Sequence, residues 1–307
     1  MLAVVDSGLH SHRQGAEREM EENTSLPVTA RTMSDKTFLG YSVFITEELG
    51  IRMPAAKKVM LQSRLAKRLR ALGISSYEEY FDYLRSGEGK EREFKNFIDV
   101  VTTNKTDFFR EPKHFSYLIR MVLPALLRRK EKNDSQIRVW SVACSSGEEP
   151  YTLAMVLEDY LTRQKDVHYC ILATDISTKV LEAAHLGIYD ESRLETVPPD
   201  FKKRFFLRSR DRKSSKVRVV PELRTKVTCR WLNLMHDDYR IKQKMDIIFC
   251  RNVMIYFDRT TQEVILDNIC GHLNCGGYLF MGHSETLSNA GRLQLVQVAP
   301  TIYQKQA

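Results

Sequence analysis

The sequence predicts an α/β protein: a doubly wound parallel sheet with a small N-terminal all-helical domain and an inserted antiparallel β-subdomain. Three observations predict it. Apolar runs at 137–143, 169–174 and 245–250 are each followed by a loop and a helix-like stretch, so strands and helices alternate through the C-terminal half. No strand-like alternation precedes Gln136. Between the second and third runs, Val217 and Val219, then Val227, Cys229 and Trp231, alternate with polar residues around Pro221-Glu-Leu-Arg-Thr225, the pattern of a small antiparallel hairpin.

In chain order, residues 1–36 are polar and aperiodic and are expected to be a disordered leader. Residues 37–110 form the expected helical domain. There Leu61, Leu65, Leu69 and Leu72 repeat at helical spacing, giving one apolar face, while Lys57, Arg64 and Arg68 fall on another. Gly73 ends that helix, and Ser76-x-x-Glu79 resembles a capping box opening the next. Residues 111–135 read as a connecting helix, Glu111 to Lys130, and a polar loop. From 136 to 307 the doubly wound domain follows, with the insert at about 205–232. Its helices are expected at Glu148–Leu161, from Val180 to His185, and at Thr260–Leu273, and Gly276-Gly277 precedes a last strand at Tyr278–Met281. In this architecture ligands bind at the carboxyl ends of the strands.

Composition excludes several classes. At 307 residues, 28% charged and 43% hydrophobic, the chain is neither a disulfide-stapled miniprotein nor a membrane or disordered chain. The opening MLAVVDSGLHSH has too short an apolar run for a signal peptide, and no uncharged apolar stretch approaches eighteen residues, so a cytoplasmic location is expected. Six cysteines lie scattered without a CxxC, with Cys170 and Cys250 inside apolar runs, and are expected to be reduced, buried thiols. Cys270-x-His272-xx-Cys275 lacks a fourth ligand nearby, and no metal is expected.

The net charge of +8 is unevenly distributed. Residues 51–76 carry seven Lys/Arg and no acid; residues 201–230 carry twelve Lys/Arg against Asp211 and Glu222. The rest of the chain is therefore acidic overall. Two basic surfaces on such a protein point to docking of something negative, either nucleic acid or an acidic protein face.

The loop Val142-Ala-Cys-Ser-Ser-Gly147-Glu148-Glu149 after the first strand is built of small residues, which let backbone approach a ligand, but it has one glycine rather than GxGxxG. Acids at the following helix start suit a cationic or hydroxyl-bearing ligand better than a pyrophosphate. Asp175, 28 residues beyond Gly147 at the end of the second strand, stands where such folds accept ribose hydroxyls. A nucleoside with positive charge and no phosphate describes S-adenosylmethionine (AdoMet) better than NAD; the alternative is that Asp175 only caps the helix begun at Ser177.

Five segments carry a resemblance. They are Thr102-Thr-Asn104-Lys-Thr106-Asp-Phe108-Phe109-Arg110, Trp140 through Tyr151, Ala173-Thr-Asp175-Ile176, Phe249-Cys-Arg251-Asn252-Val-Met-Ile-Tyr256-Phe257-Asp258 and Gly282-His-Ser-Glu285. In order and spacing they closely resemble the chemotaxis receptor methyltransferases, the CheR family, from about Phe38 to Tyr303. The resemblance implies a Rossmann-like class I AdoMet-dependent methyltransferase domain. It implies methyl transfer to glutamate side chains of membrane chemoreceptors, giving γ-glutamyl methyl esters and S-adenosylhomocysteine (AdoHcy). It implies a cofactor-contacting set of Asn104, Thr106, Arg110, Glu149, Asp175, Asn233, Leu234, Arg251 and Asn252, with Asp175 on the ribose and Asn233 and Leu234 along the adenine. Arg110 and Tyr256 resemble the residues beside the transferring methyl, and the basic face of Lys57, Arg64, Lys67, Arg68 and Arg70 would lie against acidic receptor helices. The insert looks like the subdomain that adds a receptor tail peptide as an extra strand in some relatives. Val142 replaces a commoner alanine-like residue, and the leader lies outside the likeness.

The chemistry is compatible. A glutamate with a reference pKa of about 4.3 is ionised at neutral pH and needs no general base, so no Ser-His-Asp triad is expected. Arg110, a permanently charged fork, suits orientation of the incoming carboxylate. Tyr256 could donate to the same carboxylate or contact the methionine portion of the cofactor. The expected protein is a monomer that neither enters a membrane nor binds nucleic acid. An AdoMet-dependent nucleic-acid methyltransferase and a non-catalytic AdoMet-binding adaptor are the competing readings.

Overall fold

The structure is a computed structural model that describes residues 32–129, 136–162, 164, 166–211, 213–285, 287 and 290–306. Residues 1–31 of the expected leader and the expected loop at 130–135 lie outside the described residues. Packing divides the chain into two units: residues up to Tyr41 with Pro54–Phe97, and Ser42–Met53 with everything from Ile98.

The first unit is helical. It holds the start of α1 (Asp35–Leu49), then α2 (Lys58–Leu72), α3 (Tyr77–Arg85), α4 (Gly87–Arg92) and the first residues of α5 (Phe94–Val101). Leu61, Leu65 and Leu69 are fully buried, as their spacing demands. Leu72, expected on the same face, is 38% exposed, because Gly73 at φ 68° ends the helix immediately after it. Ser76 caps α3 by accepting from the Glu79 backbone N–H, but the Glu79 carboxylate returns to the N–H and hydroxyl of Ser75 rather than to Ser76. The end of the expected leader is corrected: Met33 is buried, and the Ser34 hydroxyl accepts from the Thr37 N–H at the start of α1.

In the second unit, α6 (Pro112–Tyr117), a π-helical stretch Leu118–Val122 and α7 (Leu123–Arg129) precede the sheet, so the connecting helix is present with one wide turn inside it. There follow β1 (Gln136–Val142), α8 (Glu148–Leu161), β2 (His168–Asp175), α9 (Thr178–Leu186), β3 (Ile188–Asp190), α10 (Pro199–Phe205), β4 (Phe206–Arg208), β5 (Lys216–Val219), α11 (Pro221–Arg224), β6 (Val227–Trp231), β7 (Met245–Cys250), α12 (Arg259–Gly271), β8 (Leu273–Met281), β9 (Leu295–Ala299) and β10 (Ile302–Lys305). The main sheet has the order β6-β2-β1-β7-β8-β10-β9, parallel except for β10, which runs antiparallel to β8 and β9. Alternation along the strands separates two cores: Val139, Ile247, Phe249 and Phe280 on one face, and Trp140, Ile248, Cys250 and Leu279 on the other. Cys170, expected to be buried, is only half-buried.

The expected hairpin at about 205–232 is corrected. Val217 and Val219 belong to β5, the centre of a small antiparallel sheet in the order β3-β5-β4, built from residues 188–219. Val227, Cys229 and Trp231 belong to β6, which lies parallel to β2 at the edge of the main sheet. The intervening Pro221–Arg224 is a single helical turn that carries the chain from one sheet to the other. Both strands alternate with period two, and alternation does not reveal which sheet a strand joins.

Register brings the strand tips level. Val142 pairs with Thr174 on one side and Cys250 on the other, and Cys250 pairs with Met281. Successive connections from β1 leave toward β2 on one side and β7 lies on the other, which opens a crevice at the carboxyl ends of β1 and β7.

Candidate active site

The loop after β1 is wound tightly, with Ala143 at φ 53°, Ser145 at φ 50° and Gly147 at φ 97°. Non-glycine residues in this region cost about 1–2 kcal/mol each, so something must hold them. Asp175, buried at the end of β2, does part of this: its carboxylate accepts from the Ser145 N–H at 2.8 Å and the Ser177 N–H at 2.9 Å. Burial pushes the Asp175 carboxyl up to about 6, against the pull of those N–H groups. The Ser145 hydroxyl donates to the Asn104 carbonyl, tying the 102–106 segment to this loop. Gly147 is required by packing: a Cβ there would stand 2.9 Å from the Ala184 Cβ and from the Tyr189 hydroxyl.

The two acids at the start of α8 separate. Glu148, expected to face a ligand, is buried and bound to Arg193 Nη2 at 2.6 Å and the Ser146 hydroxyl at 2.7 Å, so it is removed from the ligand-facing set. Glu149 remains in the crevice. It accepts from the Ser141 hydroxyl at 2.7 Å and lies 3.5 Å from Arg251 Nη1; burial raises its carboxyl above the ordinary range despite Arg251, Ser141 and Arg110.

Arg251, just past β7, is the buried cation around which the site is arranged. Its Nη2 donates to the Arg110 carbonyl at 2.5 Å, its Nε stands 3.4 Å from Glu111 Oε2, and it lies over the rings of Phe115 and Phe249. Glu111, at φ 59°, also accepts from Asn252 Nδ2 and the His283 N–H. Burial favours its neutral form, but Arg251 and these donors prevail and hold its carboxyl below the usual range. His114 Nδ1 is 3.3 Å from the same carboxylate while its Nε2 meets the Thr301 hydroxyl; burial pushes the imidazole down to about 4, so it is neutral at neutral pH. Glu111, His114 and His283 bring ligand-type atoms within 4.8 Å of one another, but the Arg251 guanidinium already supplies the positive charge facing Glu111. Cys270 is buried and Cys275 exposed.

The expected residues thus gather at the carboxyl ends of β1, β2, β6 and β7. Asn104 is tied to the first loop. Arg110 is half-buried, with Nη1 on the Lys105 carbonyl. The Thr106 carbonyl accepts from Arg193. Tyr256 is half-buried, closing the Met254–Tyr256 turn, and its carbonyl accepts from the Arg52 N–H. Leu234 is buried after β6. Asn233, expected along an adenine, has its amide N–H₂ on the Glu48 carbonyl and its oxygen on the Met235 N–H, so its amide is turned to local backbone. Of the expected docking residues, Lys67 and Arg70 are exposed and Lys57 and Arg64 half-buried. Arg68 is different: its Nε and Nη2 bind both oxygens of buried Glu93, at 2.6 and 2.7 Å, so its charge serves the helical unit internally. Sequence reading did not find Arg193 or Glu111 as members of the site, because each acts through a partner distant in the chain.

Residues 104–302 match the CheR methyltransferase SAM-binding domain, and residues 38–102 match the CheR all-alpha domain. The chain belongs to the CheR methyltransferase family. It is 42% identical over 254 residues to chemotaxis protein methyltransferase 2 of Pseudomonas aeruginosa, covering 83% of this chain and 87% of that one. It is 40% identical over 268 residues to the chemotaxis protein methyltransferase of Escherichia coli, covering 87% and 90%, and 37% identical over 285 residues to that of Borreliella burgdorferi, covering 92% and 97%. This CheR-family protein is an AdoMet-dependent chemotaxis protein methyltransferase with a class I methyltransferase fold and an all-helical N-terminal domain. No helix among the described residues is long and apolar enough to cross a membrane. The donor set fits the cofactor at Asp175, whose carboxylate oxygens suit vicinal hydroxyls, while Glu149 and Glu111 already face the Arg251 guanidinium.

Proposed function

We propose that this CheR-family enzyme methylates glutamate side chains of membrane chemoreceptors, forming γ-glutamyl methyl esters. The observation that carries the reading is the pairing of Arg110 with Arg251 at the tip of β7. The Arg110 backbone is pinned by a buried guanidinium, so its own side chain is presented from a fixed base. Bound AdoMet supplies a methyl group activated by its sulfonium.

The chain's residues supply alignment and exclusion of water. Asp175 holds the ribose hydroxyls, and Asn104, Thr106, Glu149, Leu234, Arg251 and Asn252 form the rest of the cofactor wall; Asn233 joins it through backbone. Arg110 orients the incoming carboxylate with its fork, and Tyr256 donates its hydroxyl to the same group. Because the attacking oxygen loses charge as the bond forms, Arg110 serves best by orientation rather than by tight binding. Exposed Lys67 and Arg70, with Lys57 and Arg64, steer the acidic helices of the receptor. The small sheet β3-β5-β4 takes a receptor tail peptide as an added strand, and the enzyme acts as a monomer.

The test uses methyl-labelled AdoMet with receptor-bearing membranes. Label should enter receptor and leave as methanol in mild base. Arg110→Ala should lower the rate by about 10²-fold or more, the scale for losing alignment of the reacting group, while AdoHcy affinity falls far less. Label in RNA, or label in receptor undiminished by the substitution, would overturn the reading.

A further inference from the structure

Glu285 is the end of the Gly282-His-Ser-Glu285 segment, and nothing in the site described so far uses its side chain. It is 5% exposed. Its Oε2 accepts from the Asn252 N–H and from the Gly282 N–H, and its Oε1 accepts from the Met254 N–H, each at 2.8 Å. One carboxylate therefore gathers backbone donors from the loop after β7 and the loop after β8. Those donors flank the residues of the site: Asn252 follows Arg251, and Met254 opens the turn that ends in Tyr256.

Two features make this a device rather than incidental satisfaction of loop amides. Asn252 stands at φ 58°, in the left-handed region that asparagine enters more readily than other side-chain-bearing residues, and the Glu285 carboxylate on its N–H fixes it there. Gly282 is the only residue type that fits beneath it: a Cβ there would stand 2.7 Å from Asn252 Nδ2, 2.7 Å from Glu285 Oε2 and 2.9 Å from the Asn252 backbone N. The left-handed loop, the glycine and the carboxylate are one interlocked piece.

We propose that Glu285 is a positioning residue for methyl transfer. It fixes the backbone from Asn252 to Met254 and through it the Arg251 guanidinium, the Asn252 amide and the Tyr256 turn. The inference rests on the proposed reading in which Arg251, Asn252 and Tyr256 face cofactor and substrate. The requirement is for an acceptor-only group. Three N–H donors converge on two oxygens, and a glutamine would bring an N–H₂ against at least one of them, leaving a buried donor unpaired.

The β7 strand offers its own control. Asp246, near its other end, is also a buried carboxylate, accepting from the Arg138 N–H at 2.9 Å and from Asn274 Nδ2 at 3.1 Å. Asp246→Asn removes a comparable buried charge far from the strand tips. The experiment measures melting temperature, AdoHcy affinity by calorimetry, and kcat and KM for receptor methylation, in wild type, Glu285→Gln, Glu285→Asp and Asp246→Asn. Glu285→Gln should lower kcat by about 10²-fold, the scale for roughly 1 Å of misplacement, and weaken AdoHcy binding, while melting no lower than Asp246→Asn. Asp246→Asn should keep wild-type kcat and affinity. Glu285→Asp, charged but one methylene short, should recover part of the loss, and it decides the matter if the glutamine variant fails to fold. Wild-type kcat and AdoHcy affinity in folded Glu285→Gln or Glu285→Asp would overturn the proposal. A wild-type protein that binds no AdoHcy would instead overturn the cofactor assignment on which it stands.

Discussion

The two ends of the central sheet both bury carboxylates, and they use them in opposite ways. At the amino end, Asp246 joins β7 to β1 and β8 through the Arg138 N–H and the Asn274 amide, at the point where the β7–β8 register shifts between Met245 and Ile247. At the carboxyl end, Asp175, Glu111 and Glu285 hold loops whose residues Ala143, Ser145, Glu111 and Asn252 all have positive φ. The difference teaches where the fold stores strain. At the amino end the carboxylate bridges a shift in strand register, whereas at the tips buried charge holds loop residues in left-handed conformations, which is expected where a ligand must meet a preformed surface.

The comparison can be broken most sharply at Arg110, where alanine should cost about 10²-fold or more in methylation although no comparable loss follows Asp246→Asn at the amino end. The next effect belongs to the helical unit. Arg68→Ala leaves buried Glu93 without its bidentate partner and should destabilise that unit by about 3 kcal/mol, read by denaturant unfolding, because an uncompensated buried charge remains. Loss of receptor methylation in that variant would then report unfolding rather than lost docking.

Asp175 sharpens the comparison through pH. Its folded-state carboxyl titrates at about 6, above the ordinary value of 3.8, because it is buried. The sign follows: between about pH 4 and 6 the folded form holds more protons than the unfolded one, so this group's contribution to stability falls as pH rises through that window. Cofactor binding runs the other way. In the proposed reading the ionised carboxylate accepts the ribose hydroxyls, so AdoHcy affinity should drop toward tenfold per unit as pH falls below 6, and Asp175→Asn should bind weakly with that slope removed. Titration calorimetry across pH 5–8 checks the affinity, and denaturant unfolding across pH 4–7 checks the stability.

The smallest effect is at the exposed cations. Lys67→Ala should raise the receptor KM about twofold to threefold at low salt and have no effect at high salt, since exposed charges contribute mainly to encounter. A salt-independent loss would mean that the residue packs against its partner.

Much of this was legible in the residues. The runs that became β1, β2 and β7 are continuous and apolar because both faces of a parallel strand are buried, and Asp175 was recognisable by its place at a strand end. The insert was misread because β5 and β6 share a period of two, while the choice between two sheets was made by a single turn, Pro221–Arg224. Glu148 looked like a ligand-facing acid because its neutralising partner, Arg193, lies 45 residues away. Arg68 looked like one more surface cation because Glu93 lies 25 residues away. Pattern reveals which face a residue occupies; it does not reveal which distant charge will be waiting there. The same limit hid Glu285, whose partners are backbone N–H groups that any sequence could supply.

The central claim is that the cofactor rests on the tips of β1, β2 and β7, held there by Asp175. Calorimetric titration of AdoHcy into wild type, Asp175→Asn and Asp246→Asn tests it directly. The account predicts saturable binding by wild type and Asp246→Asn, with affinity lowered about tenfold or more in Asp175→Asn, the scale for losing a hydrogen bond to a charged group. Equal affinities in all three, or no binding by the wild-type protein, would contradict it.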